Sequence, residues 1–133
     1  MFAQQIISTG LQYLGTPYLF NSPTYQSDTF DCSSFIQYIF RMNGILLPRN
    51  SRQQFIVGLP ISFKKLKKGD LLFFTTKARK NRHGLSRIGH VAIYIGQGRI
   101  LHTYRKGKKV MISELNSHWK QSFIGAKRVV GTP

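Results

Sequence analysis

The sequence predicts an α+β fold in which N-terminal helices pack on one side of a largely antiparallel sheet. In the first half of the chain, apolar residues recur at helical spacing, and in the second half they form short runs typical of strands. No internal repeat, low-complexity tract or Pro/Ser-rich linker divides the chain. Helices followed by strands are typical of α+β proteins, so we expect a single domain over residues 1–133.

Two of the predicted helices have modest signals. Apolar side chains from Phe2 to Leu14 recur at helical spacing until Gly15-Thr16-Pro17 stops the pattern. Further along, Ser51 as N-cap and Gln54 three residues later fit a capping box, which opens a short helix. The segment Gly58-Leu59-Pro60 is expected to close this helix.

A clearer helix begins after Asp31. This aspartate suits the N-cap position, and Asn43-Gly44 suits the C-terminal end. Four apolar side chains between them form one stripe: Phe35, Ile36, Ile39 and Phe40. Cys32 is therefore predicted to lie in the first turn of this helix.

The second half of the chain changes from helical period to strand period. Five segments show the alternating or compact apolar pattern of strands: Leu71 to Thr75, His90 to Ile95, Arg99 to Thr103, Lys109 to Ser113 and Phe123 to Val130. The short spacing between them favours antiparallel pairing. A helical turn carrying Trp119 is predicted between the last two strands.

Composition excludes several classes of protein. The 133 residues include one cysteine, so neither an internal disulfide nor a zinc site with several cysteines is available. The segment from Met1 to Ser27 carries no ionisable side chain, yet glycine and proline interrupt it well short of a bilayer span. No secretory signal with early basic residues and a continuous apolar core is seen. We expect no transmembrane segment, and the compartment is left open.

The charge is strongly positive. Twenty Lys and Arg face four Asp and Glu, for a formal net charge of +16, which favours polyanions such as nucleic acid, anionic lipid or a phosphate-bearing wall polymer. The basic residues are concentrated in three runs, at 64–68, 77–87 and 105–109. Because each run lies between apolar stretches and includes other residue types, we expect solvated loops or turns.

Cys32 is the candidate nucleophile. A lone cysteine is often only a small buried apolar residue. At the first turn of a helix, however, unpaired N–H groups and the helix dipole favour the thiolate. The polar neighbours Asp31, Ser33 and Ser34 predict that this turn faces a cleft, and we expect the sulfur to be held as an anion.

A cysteine nucleophile needs a base, and the base needs a group that orients it. His90 and His102 are the candidates, because a three-residue loop Gly96-Gln97-Gly98 would pair Ala92 with His102 and place both histidines on one face of the sheet. A two-residue loop would instead turn His102 to the opposite face. The register of this hairpin therefore decides whether the two rings meet.

The same residues also allow other interpretations. Cys32 and two histidines could hold zinc, but catalytic zinc sites seldom use such a set, so we expect neither a metal nor a cofactor. His83 and His118 are assigned no role. Asp70 follows Gly69 and is expected to be a structural turn residue.

Six motifs in order resemble the motif series of NlpC/P60 cysteine peptidases. They cover most of the chain: Leu14-Gly15-Thr16-Pro17-Tyr18, Phe30-Asp31-Cys32-Ser33-Ser34-Phe35, Leu47-Pro48-Arg49-Asn50-Ser51-Arg52-Gln53-Gln54, Lys68-Gly69-Asp70-Leu71-Leu72-Phe73-Phe74, Gly89-His90-Val91-Ala92-Ile93-Tyr94-Ile95-Gly96 and Ile100-Leu101-His102. The resemblance is greatest to compact single-domain murein endopeptidases. The C-terminal residues of this chain, Trp119-Lys120 and Ala126 to Val130, also resemble the C-terminal pattern of those proteins.

The resemblance implies a papain-like fold and hydrolysis of γ-D-glutamyl to diamino acid bonds in peptidoglycan stem peptides. It implies Cys32 as nucleophile, His90 as general base and later general acid, and His102 as the residue that orients His90. Tyr18, Asp31 and Ser33 match family residues near the substrate amine or the oxyanion. The implied site of action is the bacterial cell wall or periplasm, and a monomer is expected.

Two departures from the family pattern concern the loop before Cys32 and the residue after Cys32-Ser33. Asn21-Ser22 stands where the family often has Gly-Gly, and Ser34 stands where it often has Gly. The segment from Lys77 to Arg87 is expected to be an extra basic loop beside the strand that carries the base. It could shape the cleft or hold a polyanion.

Two rival functions stay open from the sequence. One is a basic binding module for nucleic acid or teichoic acid, in which the basic loops bind and the sheet is a scaffold. The other is a papain-like acyltransferase, or a hydrolase of another γ-glutamyl polymer. Anionic wall polymers are also possible partners of the peptidase, through the same basic loops, and nucleic acid is the less favoured partner.

Overall fold

The computed structural model describes residues 2–129, which fold into helices packed on a six-stranded sheet. The helices are α1 (Phe2–Leu11), α2 (Cys32–Arg41), α3 (Ser51–Phe55) and α4 (Ser117–Ser122). The strands are β1 (Leu59–Ile61), β2 (Leu71–Thr75), β3 (Ile88–Gly96), β4 (Arg99–Tyr104), β5 (Lys109–Glu114) and β6 (Phe123–Arg128). The predicted α+β class is confirmed.

The sheet has the order β1-β6-β2-β3-β4-β5, and all neighbouring strands are antiparallel. Helices α1 to α3 lie on one face, as predicted. Their apolar side chains and the inward residues of the sheet form one core, which includes Phe35, Ile39, Phe73, Val91 and Leu101. Each fully buried side chain of this size contributes about 1.5–3 kcal/mol to folding.

The opposite face of the sheet has a smaller core. Leu72, Phe74, Ala92 and Ile100 pack there against Trp119 of α4. The predicted helical turn carrying Trp119 is thus confirmed, and it covers the face that the N-terminal helices leave open.

Two sequence-based boundaries were wrong. The first helix ends at Leu11, earlier than predicted, and a series of turns replaces it as far as Thr16. The N-cap of α3 is Asn50, whose side chain accepts a hydrogen bond from the Gln53 N–H, because Ser51 is buried inside the helix. Ser51 therefore forms no capping box with Gln54.

The segment expected only to close α3 contains a strand. Pro60 lies within β1 and pairs with Lys127 of β6. A proline is tolerated here because β1 is an edge strand. The last predicted strand ends at Arg128, and its predicted end at Val130 lies outside the described residues.

The four predicted strands from residue 71 to residue 114 are confirmed, with small extensions of three of them. The three basic runs lie mostly in turns and loops, as expected, but they also include two short 3-10 helices, Phe63–Lys65 and Gly84–Arg87, and Lys109 is the first residue of β5. None of the helices within residues 2–129 is long and apolar enough to span a membrane.

Asp70 has the structural role that was expected, and the structure adds its partner. Its carboxylate is almost fully buried and accepts from the Arg128 guanidinium through two bonds of 2.8 and 2.9 Å, and from the Lys67 N–H. The Asp70 carbonyl accepts from the Tyr94 N–H, so this corner fixes the start of β2 beside β3.

Asp70→Asn should lower the free energy of unfolding by about 2–3 kcal/mol, because it leaves the half-buried Arg128 guanidinium without its counter-charge. Urea denaturation monitored by circular dichroism measures this. The matched control is Asp28→Asn, because Asp28 is exposed. Equal stability of the two variants would show that the Asp70–Arg128 pair is not a determinant of folding.

Candidate active site

Cys32 is the first residue of α2, and Asp31 fixes the start of that helix. The Asp31 carboxylate accepts from the Ser34 N–H at 2.8 Å, and the Ser34 hydroxyl accepts from the Asp31 N–H at 3.0 Å. This reciprocal capping holds the first turn in place. The predicted position of Cys32 is confirmed, and its side chain is half-buried.

The sulfur lies where strands β3 and β4 separate. Their pairing runs from Ile93–Leu101 to Gly96–Arg99, which leaves the earlier part of β3 facing α2. There the Cys32 thiol donates to the Gly89 carbonyl at 3.9 Å, and the Val91 N–H donates to the sulfur. The cysteine is thus held by the main chain on either side of His90.

The hairpin between β3 and β4 brings the two histidines together by a route that the sequence did not reveal. Gly96 pairs with Arg99 across a two-residue loop, which is the alternative that was expected to turn His102 to the opposite face. A bulge at Ile95 shifts the register by one residue, so that Tyr94 pairs with Ile100 as the three-residue loop would have required. His90 and His102 therefore share a face.

The two histidine rings are hydrogen-bonded. His90 Nε2 and His102 Nδ1 are 2.7 Å apart, and both side chains are buried. On the far side of His102, Nε2 lies 2.8 Å from the Ser113 hydroxyl. Ser113 of β5 was missed in the sequence, since only the β4–β5 register, in which His102 faces Met111, places it diagonally beside His102.

Aromatic side chains enclose the histidine pair. Trp119 stacks on His90 with ring centroids 5.4 Å apart, and Tyr104 stacks on His102 at 5.3 Å. Phe74 contacts the His90 ring at 6.0 Å. This enclosure was also missed, because Trp119 and Tyr104 reach the site only through the tertiary fold.

Burial sets the protonation of the site. It lowers the pKa of His90 to about 3, and burial together with the nearby His90 lowers the pKa of His102. Burial, followed by the negative charge of Asp31, raises the pKa of the Cys32 thiol to about 11. The expected resting thiolate was therefore wrong, because desolvation outweighs the main-chain donors at the helix start. The resting site holds a neutral thiol and neutral imidazoles.

Asp31 and Ser33 lie beside Cys32, as predicted, but both are already engaged. Arg49 donates to the two Asp31 carboxylate oxygens at 2.7 and 3.2 Å and to the Ser33 hydroxyl at 2.9 Å. It also donates to the Ser22 carbonyl at 2.7 Å. Arg49, which was assigned no role from the sequence, thus organises this wall, and binding of a substrate amine by Asp31 stays a prediction.

Tyr18 is placed on the same side of the site. Its strand-like segment bridges to Phe30, two residues before Cys32, and the Tyr18 N–H donates to the Lys108 carbonyl. Burial raises the pKa of the half-buried Tyr18 hydroxyl. All six residues that were predicted for the site are therefore near α2 or on β3 and β4. The part of the chain that the structure describes contains no cluster of metal-ligating side chains.

A cysteine at a helix start, held against a strand that presents a hydrogen-bonded histidine pair, is the arrangement of a papain-like cysteine peptidase. Residues 15–128 match the NlpC/P60 family, so the chain belongs to that family. The resemblance predicted from the six motifs is confirmed.

The chain is similar to two characterised relatives over most of its length. The chain is 35% identical over 127 residues to the γ-D-glutamyl-L-lysine dipeptidyl-peptidase of Bacillus cereus, covering 95% of the chain and 36% of that protein. It is 30% identical to the murein DD-endopeptidase MepH of Escherichia coli, covering 90% of the chain and 43% of the relative. The chain thus spans less than half the length of these relatives.

The structural match is also close. The crystal structure of an NlpC/P60 family protein from Bacillus cereus superposes with a TM-score of 0.85 at 35% identity, covering 97% of the chain and 40% of that structure. This similarity extends over nearly the whole described fold.

Acidification should destabilise the protein through the buried histidines. Below pH 6.5 an unfolded histidine binds a proton that folded His90 does not take up until about pH 3, so stability falls as the pH is lowered through this window. The slope is about 1.4 kcal/mol per pH unit for each histidine. Urea unfolding between these pH values measures it.

His90→Gln should flatten this pH dependence, because it removes one of the two titrating groups. His83→Gln is the matched control, since His83 is exposed. A His90→Gln curve parallel to that of the wild type would contradict the neutral, buried state of His90.

Proposed function

We propose that the chain acts as one catalytic domain that hydrolyses γ-D-glutamyl to diamino acid bonds in peptidoglycan stem peptides through a Cys32 thioester. The observation that supports this most strongly is the hydrogen-bond line from His90 through His102 to Ser113, together with the contact of the Cys32 thiol with the Gly89 carbonyl, one residue before His90 in the chain. The γ-glutamyl and murein activities named for the relatives favour this substrate class.

The hydrogen-bond line is compatible with the tautomers that the proposed reaction needs. For His90 Nδ1 to accept the thiol proton, the neutral ring must carry its proton on Nε2 and donate it to His102 Nδ1. His102 then carries its own proton on Nε2 and donates to the Ser113 hydroxyl oxygen. In this arrangement His102 and Ser113 act as positioning residues, and only His90 exchanges protons with the substrate.

Acylation begins as the thiol proton passes to His90 Nδ1 while the sulfur attacks the γ-glutamyl carbonyl. In the proposed reaction, the Cys32 N–H at the start of α2 and the Tyr18 hydroxyl donate to the developing oxyanion. His90 then gives its proton to the departing amine, and the C–N bond breaks to leave the thioester. Because the resting pair is neutral, proton transfer accompanies attack and no thiolate accumulates.

Deacylation repeats these steps with water. His90 Nδ1 takes a proton from the water, whose oxygen attacks the thioester carbonyl. The C–S bond breaks, and the proton on His90 returns to the sulfur. The products are a free γ-carboxylate and the amine released earlier, so no cofactor takes part in the proposed reaction.

Cys32→Ala should abolish amine release from a defined γ-D-glutamyl-L-lysine peptide under reducing conditions, by roughly a thousandfold or more, because the nucleophile is lost. Chromatography of labelled amines measures the release. Ser27→Ala, outside α2, is the control and should keep wild-type activity.

The rival binding module makes the opposite prediction. Its association with wall polymers or nucleic acid would weaken steeply with salt and would be unchanged in Cys32→Ala. A wild-type protein that leaves the peptides intact while showing such binding would contradict the peptidase. Salt-dependent binding together with hydrolysis would instead show that the basic loops concentrate the enzyme on an anionic wall.

The papain-like alternatives have their own test. Transfer of the acyl group to an added amine, or cleavage of a γ-glutamyl polymer in place of the peptides, would favour them.

Ser113→Ala should lower kcat about tenfold with little change in KM, because His102 loses the acceptor that holds its tautomer, a hydrogen bond of about 1 kcal/mol or more. The 15N shifts of the His102 ring should change as well, since they report which nitrogen carries the proton. Ser113→Thr should restore both readouts, and Ser122→Ala on α4 is the control. Unchanged ring shifts in Ser113→Ala would rule out this positioning role.

A further inference from the structure

Three arginines form a cationic group beside the cysteine. Arg52 lies in α3, and Arg79 and Arg82 lie in the loop between β2 and β3. We refer to these three as the arginine cluster. Arg52 and Arg79 are half-buried, and Arg82 is exposed.

Main-chain contacts fix the cluster next to the nucleophile. Arg52 donates to the Ile88 carbonyl at 2.7 Å, and Arg79 donates to the Ser86 carbonyl at 3.0 Å. The Arg79 stem packs on Gly89 so closely that a side chain there would meet its Cδ at 3.1 Å. Since the Gly89 carbonyl accepts from the Cys32 thiol, only one residue separates the cluster from the sulfur.

The charge of the cluster is uncompensated within the described residues. The two ion pairs found there belong to Arg49 with Asp31 and to Arg128 with Asp70. Burial, together with the positive charges of Arg52 and Arg82, lowers the pKa of Arg79. Holding three guanidinium groups together without an anion costs free energy, and a bound anion would recover it.

The position of the cluster selects the kind of anion. Guanidinium groups bind carboxylates and phosphates through paired hydrogen bonds. Two of the arginines are half-buried and contact the main chain at Ile88 and Ser86, close to Cys32, which suits a single group on a bound peptide better than an extended phosphate polymer. A γ-linked glutamyl residue necessarily keeps its α-carboxylate free, and a peptide carries a second carboxylate at its C-terminus.

We propose that the arginine cluster is a subsite for a carboxylate of the γ-glutamyl peptide bound at Cys32. This inference rests on the proposed function, because that function supplies the peptide. The cluster would make the protein select charged substrates over the same peptides with an amidated carboxylate, without taking part in bond cleavage.

The test compares three γ-D-glutamyl-L-lysine peptides: one with both carboxylates free, one with the glutamyl α-carboxylate amidated, and one with the C-terminal carboxylate amidated. Amidation removes charge with little change of shape. For the wild type, amidation of the bound carboxylate should raise KM about tenfold, the effect expected for one charged hydrogen-bonding contact. Arg79→Gln and Arg82→Gln should raise KM for the free form and lose the discrimination.

Controls separate this subsite from general charge effects and from folding. Arg41→Gln removes the same charge at the far end of α2 from Cys32 and should keep the wild-type ratio of KM values. Arg52→Lys retains the charge and should keep most of the discrimination. Arg82→Gln alters an exposed side chain, so its thermal unfolding should match that of the wild type. The subsite would be overturned if both Arg79→Gln and Arg82→Gln kept the wild-type ratio of KM values between the amidated and free peptides. It would also be overturned if Arg41→Gln reduced that ratio equally.

Binding to a Cys32→Ser protein, measured by calorimetry, keeps the inference testable apart from hydrolysis. If one amidated peptide binds more weakly than the free peptide, and Arg79→Gln removes this difference, the subsite is supported. This holds even if the wild type cleaves none of the peptides. Absence of cleavage would reject only the proposed function. Inorganic polyphosphate provides the opposite outcome. If it binds more tightly than the free peptide, and Arg79→Gln removes its binding, the cluster is a polyphosphate surface and the carboxylate subsite is overturned.

Discussion

The active-site geometry depends on the contact of Cys32 with the main chain of β3, in the part of that strand that does not pair with β4. Strand β3 pairs with β4 only from Ile93 onward, and the main chain around His90 turns to the cysteine instead. Asp31 fixes where α2 begins, and the bulge at Ile95 fixes which face His102 occupies. If either were displaced by one residue, the sulfur or the second imidazole would leave the site.

Desolvation rather than ion pairing controls the chemistry of this site. The rings of Trp119 and Tyr104 exclude water from the histidines, and the same burial keeps the thiol protonated. Such a site needs hydrogen bonds to define its tautomers, because no charge is present at rest to orient the rings. The line through His102 to Ser113 holds both rings in their orientations, and in the proposed reaction its protons lie on Nε2 of each ring.

The sequence was informative where a local pattern has one structural solution. The apolar stripe after Asp31 predicted α2 and the position of Cys32, and strand alternation predicted β3 and β4 with His90 and His102. It was uninformative where tertiary contacts decide. A bulge leaves the apolar pattern of the sequence unchanged. The two-residue turn, and the bulge at Ile95 that shifts the β3–β4 register by one residue, could therefore not be predicted from the sequence.

The partners of the predicted residues were hidden for a related reason. Arg49 and Ser113 are ordinary polar residues whose importance comes from what the fold places beside them, Asp31 in one case and His102 in the other. The resting protonation was misjudged because the dipole of a helix start can be inferred from sequence, whereas the desolvation that opposes it depends on side chains from distant strands.

The most direct measurement of the central claim is the intact mass of the protein after rapid acid quenching during turnover of a γ-D-glutamyl-L-lysine peptide. The account predicts a transient species heavier by the mass of the γ-glutamyl acyl group, mapped by fragmentation to Cys32 and released by hydroxylamine. Steady cleavage of the peptide with an acyl group on another residue would contradict it, as would cleavage that continues at full rate after alkylation of Cys32.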